Sequence, residues 1–415
     1  MPDVSAAPRR PWRRLILFLS IMGPGIITAN VDNDAGGLAT YSQAGAMFGL
    51  DLLWIFLPMT VVLVMVQEMT ARMGVVTGAG LSSLIRERFG VKITFYLMLL
   101  LLATNFGNVM AEFAGIAGAA ELFGISKFIA VPVCAALVWF MVLRWSYRSV
   151  ERIFLVACLF YAAYLITAFM VDPDPVEVSR ALAAPRWIPT SAYLFMIVGL
   201  VGTTIAPWMQ FYQQASVVEK EIDVEHYAYA RADTVIGGVT VSVVAVSIVV
   251  VCAMTLHKAG VTIDDASHAA EALAPLAGAN ARWLFAFGLF NASMFAACIL
   301  PLSTAYTVCE ALGWERGVDQ RFEDARQFYT LYTASIVLGA LLILIPGLNL
   351  IRVMIWSQVI NGLLLPVVLA FMLILARDEG LMGRYRNGRV YHVLCVAVVA
   401  LLAVMSIAYV VSLLL

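Results

Sequence analysis

The sequence predicts an all-α integral membrane protein with eleven membrane spans, the first and sixth of them broken. Three observations carry that prediction. The chain of 415 residues is 62% hydrophobic and 13% charged, with a mean hydropathy of +0.90. Average soluble domains are roughly 45–50% apolar and about 25% charged, so no soluble core could hide this much apolar surface. Its apolar residues run in continuous stretches of the ~20 residues that a bilayer core requires. Two of those stretches are interrupted, at corresponding places, by glycine, proline and polar residues. Together these exclude a soluble enzyme, a nucleic-acid binder and a disordered chain. A β-barrel would alternate in hydropathy, and these runs do not.

The spans read near 15–45, 50–75, 93–122, 127–145, 152–171, 191–216, 228–256, 281–311, 327–347, 350–376 and 390–415. With residues 1–14 as a cytoplasmic tail, twenty of the 26 Lys and Arg residues fall on the cytoplasmic side. That asymmetry is what the positive-inside rule demands, and it places the C-terminus outside. The basic segment Arg9–Arg14 leads into an apolar stretch too long for a signal peptide and without a clean cleavage site. Residues 76–90 are short and amphipathic and read as an interfacial helix. Residues 172–190 are rich in Asp, Glu and Pro and read as a polar outer loop, and 377–389 as a cytoplasmic loop. The six cysteines are scattered and form no CxxC, so packed, inert thiols are expected.

Span one contains Gly23-Pro24-Gly25 and then Val31-Asp32-Asn33-Asp34-Ala35-Gly36-Gly37; span six contains Gly202-Thr203-Thr204-Ile205-Ala206-Pro207. Paired interruptions five spans apart point to two inverted repeats, 15–171 and 191–376, with the eleventh span (390–415) outside them. Unwound backbone at mid-membrane is tolerated only where it lines a cavity or a site. A carboxylate there is costly and marks function, which singles out Asp34. Glu112, inside the third span, is the second buried acid. Asp32 lies by the same turn and is expected to face an outer vestibule. Asn361 shares a helix face with Gln358. Glu68 and Arg72 have i,i+4 ion-pair spacing. Asp233 is read as a helix-dipole partner near a helix start. Trp208 is read either as a packing residue or as a wall of the aqueous path.

The run Gly23-Pro24-Gly25-Ile26-Ile27, then Asp34-Ala35-Gly36-Gly37, then Gln43-Ala44-Gly45-Ala46 resembles the first helix of the natural resistance-associated macrophage protein (NRAMP) family. Gln67-Glu68-Met69, Ala206-Pro207-Trp208 and Trp356-Ser357-Gln358-Val359 extend the resemblance to the second, sixth and tenth helices. The resemblance implies a LeuT-type fold and import of divalent metal into the cytoplasm. It places the metal ligands at Asp34, at the carbonyls of Val31 and Thr203, at Gln358, and at the positions held by Gly37 and Ala206. The family has Asn and Met at those last two positions, and His where Trp208 stands.

These departures bear on the cargo. Ala206 removes the soft thioether that favours transition metals, and oxygen donors favour Mg²⁺ and Mn²⁺. Gly37 and Ala206 together suggest a wider site for a partly hydrated Mg²⁺, which keeps its waters more readily than other divalent ions. The pattern resembles the NRAMP-related magnesium transporter branch. Trp208 cannot titrate, Val109 replaces an acid of the third helix, and the four histidines fall at helix ends or in loops. Uncoupled import of Mg²⁺, with Mn²⁺ as co-substrate, is the expectation. The alternative is a conventional proton-coupled Mn²⁺/Fe²⁺ carrier. A LeuT-type carrier of organic solutes ranks below both, and a membrane enzyme ranks last. No cofactor is expected; the metal is cargo. The expected partners are the ion and the lipid bilayer, with no nucleic acid and no obligate protein partner, in the plasma membrane.

Overall fold

The computed structural model describes residues 25, 28, 31–144, 161–315, 317 and 320–414, and no strand occurs among them. Among the described residues, eight helices are long and apolar enough to cross a membrane, and a shorter apolar one covers Lys127–Val142. The first part of span one and the first nine residues of span five lie outside the described residues, as do Cys158 and the basic tail.

The first interruption is a real break. Residues 25, 28 and 31 are helical, residues 32–34 form a turn, and α1 then runs Ala35–Phe48. The second helix, α2 (Phe56–Thr77), ends at Gly78, whose φ of +62° is left-handed backbone that glycine adopts without strain. The following helix, α3 (Leu81–Leu122), bends at Gly90, again at positive φ (+83°). The interfacial helix is therefore Leu81–Phe89 and begins five residues later than 76–90. It buries Leu81, Leu84 and Ile85 and exposes Glu87 and Arg88, as an amphipathic segment should. Glu310 receives the Gly80 amide at 3.1 Å and the Ser82 hydroxyl at 2.6 Å, so it satisfies the start of this segment from a helix far along the chain.

Next come α4 (Lys127–Arg144) and α5 (Ala162–Met170), the described end of span five. The polar outer loop holds a short exposed helix, α6 (Pro175–Ala183), capped by Asp174. An Arg186–Asp51 ion pair at 2.8 Å ties this loop to the segment before α2. The second half opens with α7 (Ser191–Thr204) and α8 (Pro207–Glu219), separated by the second break. It continues with α9 (Tyr227–Cys252), α10 (Ala281–Leu312), α11 (Arg326–Ile343) and α12 (Leu350–Arg377). The last helix is α13 (Arg389–Leu414).

The long α3 packs most extensively against α10 and then α12, and α7 packs against α12. In membranes such seams need small residues, because lipid tails give helices no hydrophobic reason to associate. A Cβ on Gly202 would lie 1.9 Å from the Gln358 carbonyl oxygen, and one on Gly362 would lie 2.3 Å from that of Val198. Glycine on both sides lets the two backbones touch, and that brings α7, with the second break at its end, against Gln358. By contrast, α13 is mostly exposed, as a helix facing lipid should be. The five described cysteines are buried and form no disulfide among the described residues.

Candidate metal site

Asp34 sits at the N-cap of α1 in extended backbone (φ −72°, ψ −172°), and its Oδ1 accepts the Gly37 amide at 2.6 Å. Aspartate favours this position because it satisfies a helix-end donor that no carbonyl reaches, an arrangement worth about 1 kcal/mol. An ionised carboxylate has about four lone-pair sites, so one cap leaves room for a cation. Glu112, fully buried on α3, reaches the same helix end. Its Oε2 accepts the Ala35 amide at 3.4 Å, which places its carboxyl group beside Asp34. Two acids on one helix terminus exceed what capping needs.

The second break completes the surroundings. The last turn of α7 ends at Thr204; Ile205 (φ −131°, ψ 60°) leaves the helical conformation, Ala206 (φ −65°, ψ 140°) is extended, and Pro207 starts α8. Proline has no amide to continue a helix but suits the first position of a new one. Carbonyls at the end of α7, Thr203 among them, therefore lose their intrahelical partners. The Thr203 hydroxyl lies 3.2 Å from where a Gly37 Cβ would be, so the two breaks meet side by side. A 2.9 Å hydrogen bond between the Tyr41 and Thr204 hydroxyls makes a second link.

Four buried oxygen atoms around these breaks have no hydrogen-bond partner among the described residues: Asp32 Oδ2, Asn33 Oδ1, Thr203 Oγ1 and Glu112 Oε1. An orphaned buried acceptor costs roughly 1–3 kcal/mol, and a cation removes that cost at each oxygen it draws in. Among the described residues no group of three or more His, Cys, Asp or Glu side chains could hold a metal by itself. Any ion here must be held by a mixture of carboxylate, hydroxyl, amide and main-chain oxygen.

Of the residues singled out from sequence, the structure gathers Asp34, Gly37, Thr203, Gln358 and Glu112. Gln358 rests on the first turn of α1, its Nε2 only 1.8 Å from where a Gly36 Cβ would lie. Its amide donates to Ser357 at 3.2 Å and accepts from Asn361 at 3.0 Å. Val31 is buried at the helical end just before the turn. Ala206 offers only a methyl group, and its carbonyl is taken up within α8 by the Met209 amide and the Gln210 side chain, each at 3.1 Å.

Several expectations need correction. Gly37 does not widen the site: a Cβ there would lie 2.6 Å from the Asp32 carbonyl oxygen and 3.4 Å from Asp34 Oδ1, so oxygen atoms already fill the space. Asp32 is 2% exposed and therefore does not face an open vestibule. Asn361 is held in a mutual pair with Asn108, each amide donating to the other's oxygen at 2.8 and 3.1 Å, and it also donates to Gln358. Trp208 is a packing residue, 1% exposed, with Tyr212 5.9 Å away between ring centres. Asp233 is no helix-dipole partner at the surface. It is buried and accepts the Gly25 amide at 2.6 Å, fastening the first part of the broken helix to α9.

Sequence reasoning missed Asn33, whose carbonyl also accepts from the Tyr161 hydroxyl, and Tyr41. Their signal was available: Asn33 lies between two aspartates in the turn, and Tyr41 lies two helical turns into α1. The i,i+4 pair is present, with Arg72 Nε 3.1 Å from Glu68 Oε1.

Comparison with known proteins places this geometry. A family model described as natural resistance-associated macrophage protein-like matches residues 25–412. The chain belongs to this NRAMP-like family. Among relatives, it is 27% identical over 420 aligned positions to "Divalent metal cation transporter MntH" of Yersinia pestis (strain Pestoides F), covering 98% of each chain. The MntH of Erwinia tasmaniensis is 26% identical over 380 positions, covering 89% of each. Among solved structures, a manganese transporter of Eremococcus coleocola in complex with an aromatic bis-isothiourea substituted compound superposes with a TM-score of 0.77. That match has 20% identity and covers 97% of this chain and 88% of the other. MhsT in complex with L-phenylalanine gives 0.60 at 12% identity, covering 94% and 98%. The NRAMP-like chain thus has the LeuT-type fold, with two inverted five-helix repeats, broken helices 1 and 6, and one further helix.

Proposed function

We propose that this NRAMP-family protein imports divalent metal ions across the plasma membrane, chiefly Mg²⁺ with Mn²⁺ as a co-substrate, without an obligatory proton. The family membership and the metal-transporter names of its relatives support divalent-metal transport in general. The observation that carries the finer reading is the donor set between the two breaks: Asp34, Glu112, the Thr203 hydroxyl and main-chain oxygen, with a methyl group at Ala206. These are hard donors, which suit Mg²⁺ and Mn²⁺ over softer ions. Since oxygen fills the space at Gly37, selectivity in this reading comes from donor chemistry and not from added width. Mg²⁺ bound through one or two carboxylates keeps several of its waters, and those waters serve the remaining oxygens.

Alternating access follows from the breaks. The turn at 32–34 and the Ile205–Ala206 kink let each half-helix tilt about a fixed ion. A divalent ion entering a negative interior gains roughly 4.6 kcal/mol per 100 mV, which drives uptake without coupling. Trp208, packed beside Tyr212, offers no titrating relay where the family has His. The residues that hold the ion are Asp34, the main-chain oxygens of Val31 and Thr203, and Gln358, with Glu112 beside them. The N-terminus is cytoplasmic and the C-terminus outside in this reading.

The test is uptake of Mg²⁺ and Mn²⁺ into proteoliposomes carrying a pH-sensitive dye. Mg²⁺ entry that depends on potential and leaves the dye unchanged is expected, with uptake lost in Asp34→Ala. Absence of Mg²⁺ transport, or acidification in step with metal entry, would favour the conventional proton-coupled Mn²⁺/Fe²⁺ reading instead. Undiminished uptake in Asp34→Ala would refute the site.

A further inference from the structure

A cavity of about 360 Å³ opens where the end of α2, the start of α9, the loop after α12 and the start of α13 converge. It lies far along α2 from the break, on the face that the basic residues assign to the cytoplasm. Four guanidinium groups line it: Arg72, Arg231, Arg384 and Arg386. Glu68 is the one acid in its lining.

Its floor is built, not incidental. Arg72 is 8% exposed and held by the Tyr385 carbonyl at 2.6 Å, the Asn387 side chain at 2.6 Å and Glu68 at 3.1 Å. Glu68 is in turn held by the hydroxyls of Tyr227 and Tyr391. Its charge is thus spent on fixing Arg72 and two phenols. Arg384 lies over the Tyr385 ring at 4.9 Å, and Arg386 pairs with Glu379. Arg231, an exposed member of the cavity lining, forms no ion pair among the described residues. Net positive charge in a concave site attracts an anion with several acceptor oxygens. The opposite flank is hydrocarbon: Val64 and Val235, the latter 37% exposed, belong to membrane-spanning helices.

We propose that this cavity binds the phosphate headgroup of an anionic phospholipid in the cytoplasmic leaflet. The phosphate is recognised by Arg231 and Arg384, and the acyl chain lies along Val64 and Val235. A basic pocket between membrane helices at that depth has the chemistry for such a headgroup. The lipid would join α9 to the loop before α13, a helix that lies outside the two repeats. The phosphate itself could also arrive as a free anion, and the arms of the test separate the two.

The experiment is native mass spectrometry of the full chain titrated with phosphatidylglycerol, phosphatidylcholine or inorganic phosphate. Phosphatidylglycerol is expected to bind at least about tenfold more tightly than phosphatidylcholine. At about fivefold for each arginine near the membrane surface, Arg231→Gln with Arg384→Gln weakens it roughly 25-fold. Arg352→Gln, on the opposite face, leaves it unchanged. Arg231→Gln alone, about fivefold weaker, serves if the double variant does not fold. Equal binding of the two lipids, or undiminished binding in the variants, overturns the proposal. Inorganic phosphate that binds through the same arginines and displaces phosphatidylglycerol overturns the lipid as the ligand.

Discussion

Gly37→Ala tests the packing between the two breaks. A Cβ at this position would lie 2.6 Å from the Asp32 carbonyl oxygen and 3.2 Å from the Thr203 hydroxyl. Real Cβ contacts essentially never fall under 3.0 Å, so the turn must retreat by at least 0.4 Å, and the nearest atom is backbone, not a flexible side-chain tip. Alanine in place of glycine inside a helix normally gains roughly 0.5–1 kcal/mol. Overpacking a well-filled interior costs about 1–3 kcal/mol. The second effect wins, for a net loss on the order of 1–2 kcal/mol. Gly107, inside α3, is the internal control, because its nearest neighbour would be 3.8 Å away and only the helix gain remains. Thermal unfolding in detergent, followed by intrinsic fluorescence, should therefore move in opposite directions for the two variants, down for Gly37→Ala and up for Gly107→Ala. Uptake should fall in Gly37→Ala alone, since the displaced atoms are candidate ligands. A Gly37→Ala protein as stable as the parent, with unchanged uptake, would refute the side-by-side arrangement of the breaks.

Ala206→Met places a thioether beside the hard oxygen set; Mn²⁺ and Cd²⁺ uptake should rise relative to Mg²⁺ by about tenfold, read by competition in proteoliposomes, and an unchanged ratio would detach Ala206 from selectivity. Arg72→Met leaves the partly buried Glu68 without its cationic partner and frees the Tyr385 carbonyl, so a loss of about 1–3 kcal/mol in stability is expected, visible as a lowered unfolding midpoint.

Much of the architecture could be read from residues. Continuous apolar runs fixed most of the helices to within a few positions, because the bilayer leaves the chain few alternatives. Both breaks were legible, since Gly-Gly after Asp34 and Pro207 after Ala206 are local signals of helix ends. The start of the interfacial helix was not, because a Gly78 at positive φ had to be told apart from Gly90 further along the same segment. Within the site, Asp34 and Glu112 stood out as acids in apolar surroundings. Whether Gly37 left a hole or a filled space was not legible, as the answer depends on the Asp32 carbonyl and on Thr203, 166 positions away in the sequence. The partners of Asp233 and Asn361 were hidden for the same reason. Gly25 and Asn108 lie 208 and 253 residues distant, and no periodicity reports a contact of that range.

The Asn108–Asn361 pair joins α3 to α12 by two mutual amide bonds and carries no charge. An amide presents donors and an acceptor together, so the two bonds close a ring, and the other N–H of Asn361 is left to donate to Gln358 at 3.0 Å. Neither member of the pair titrates, so it stays neutral at any acidity. On the proposed function, the carboxyl groups of Asp34 and Glu112 and the open oxygens of the turn are the part that answers to the cation. The joint between α3 and α12 is then an uncharged clasp wired to that part through Gln358, so the packing of two unbroken helices shares one amide with the load.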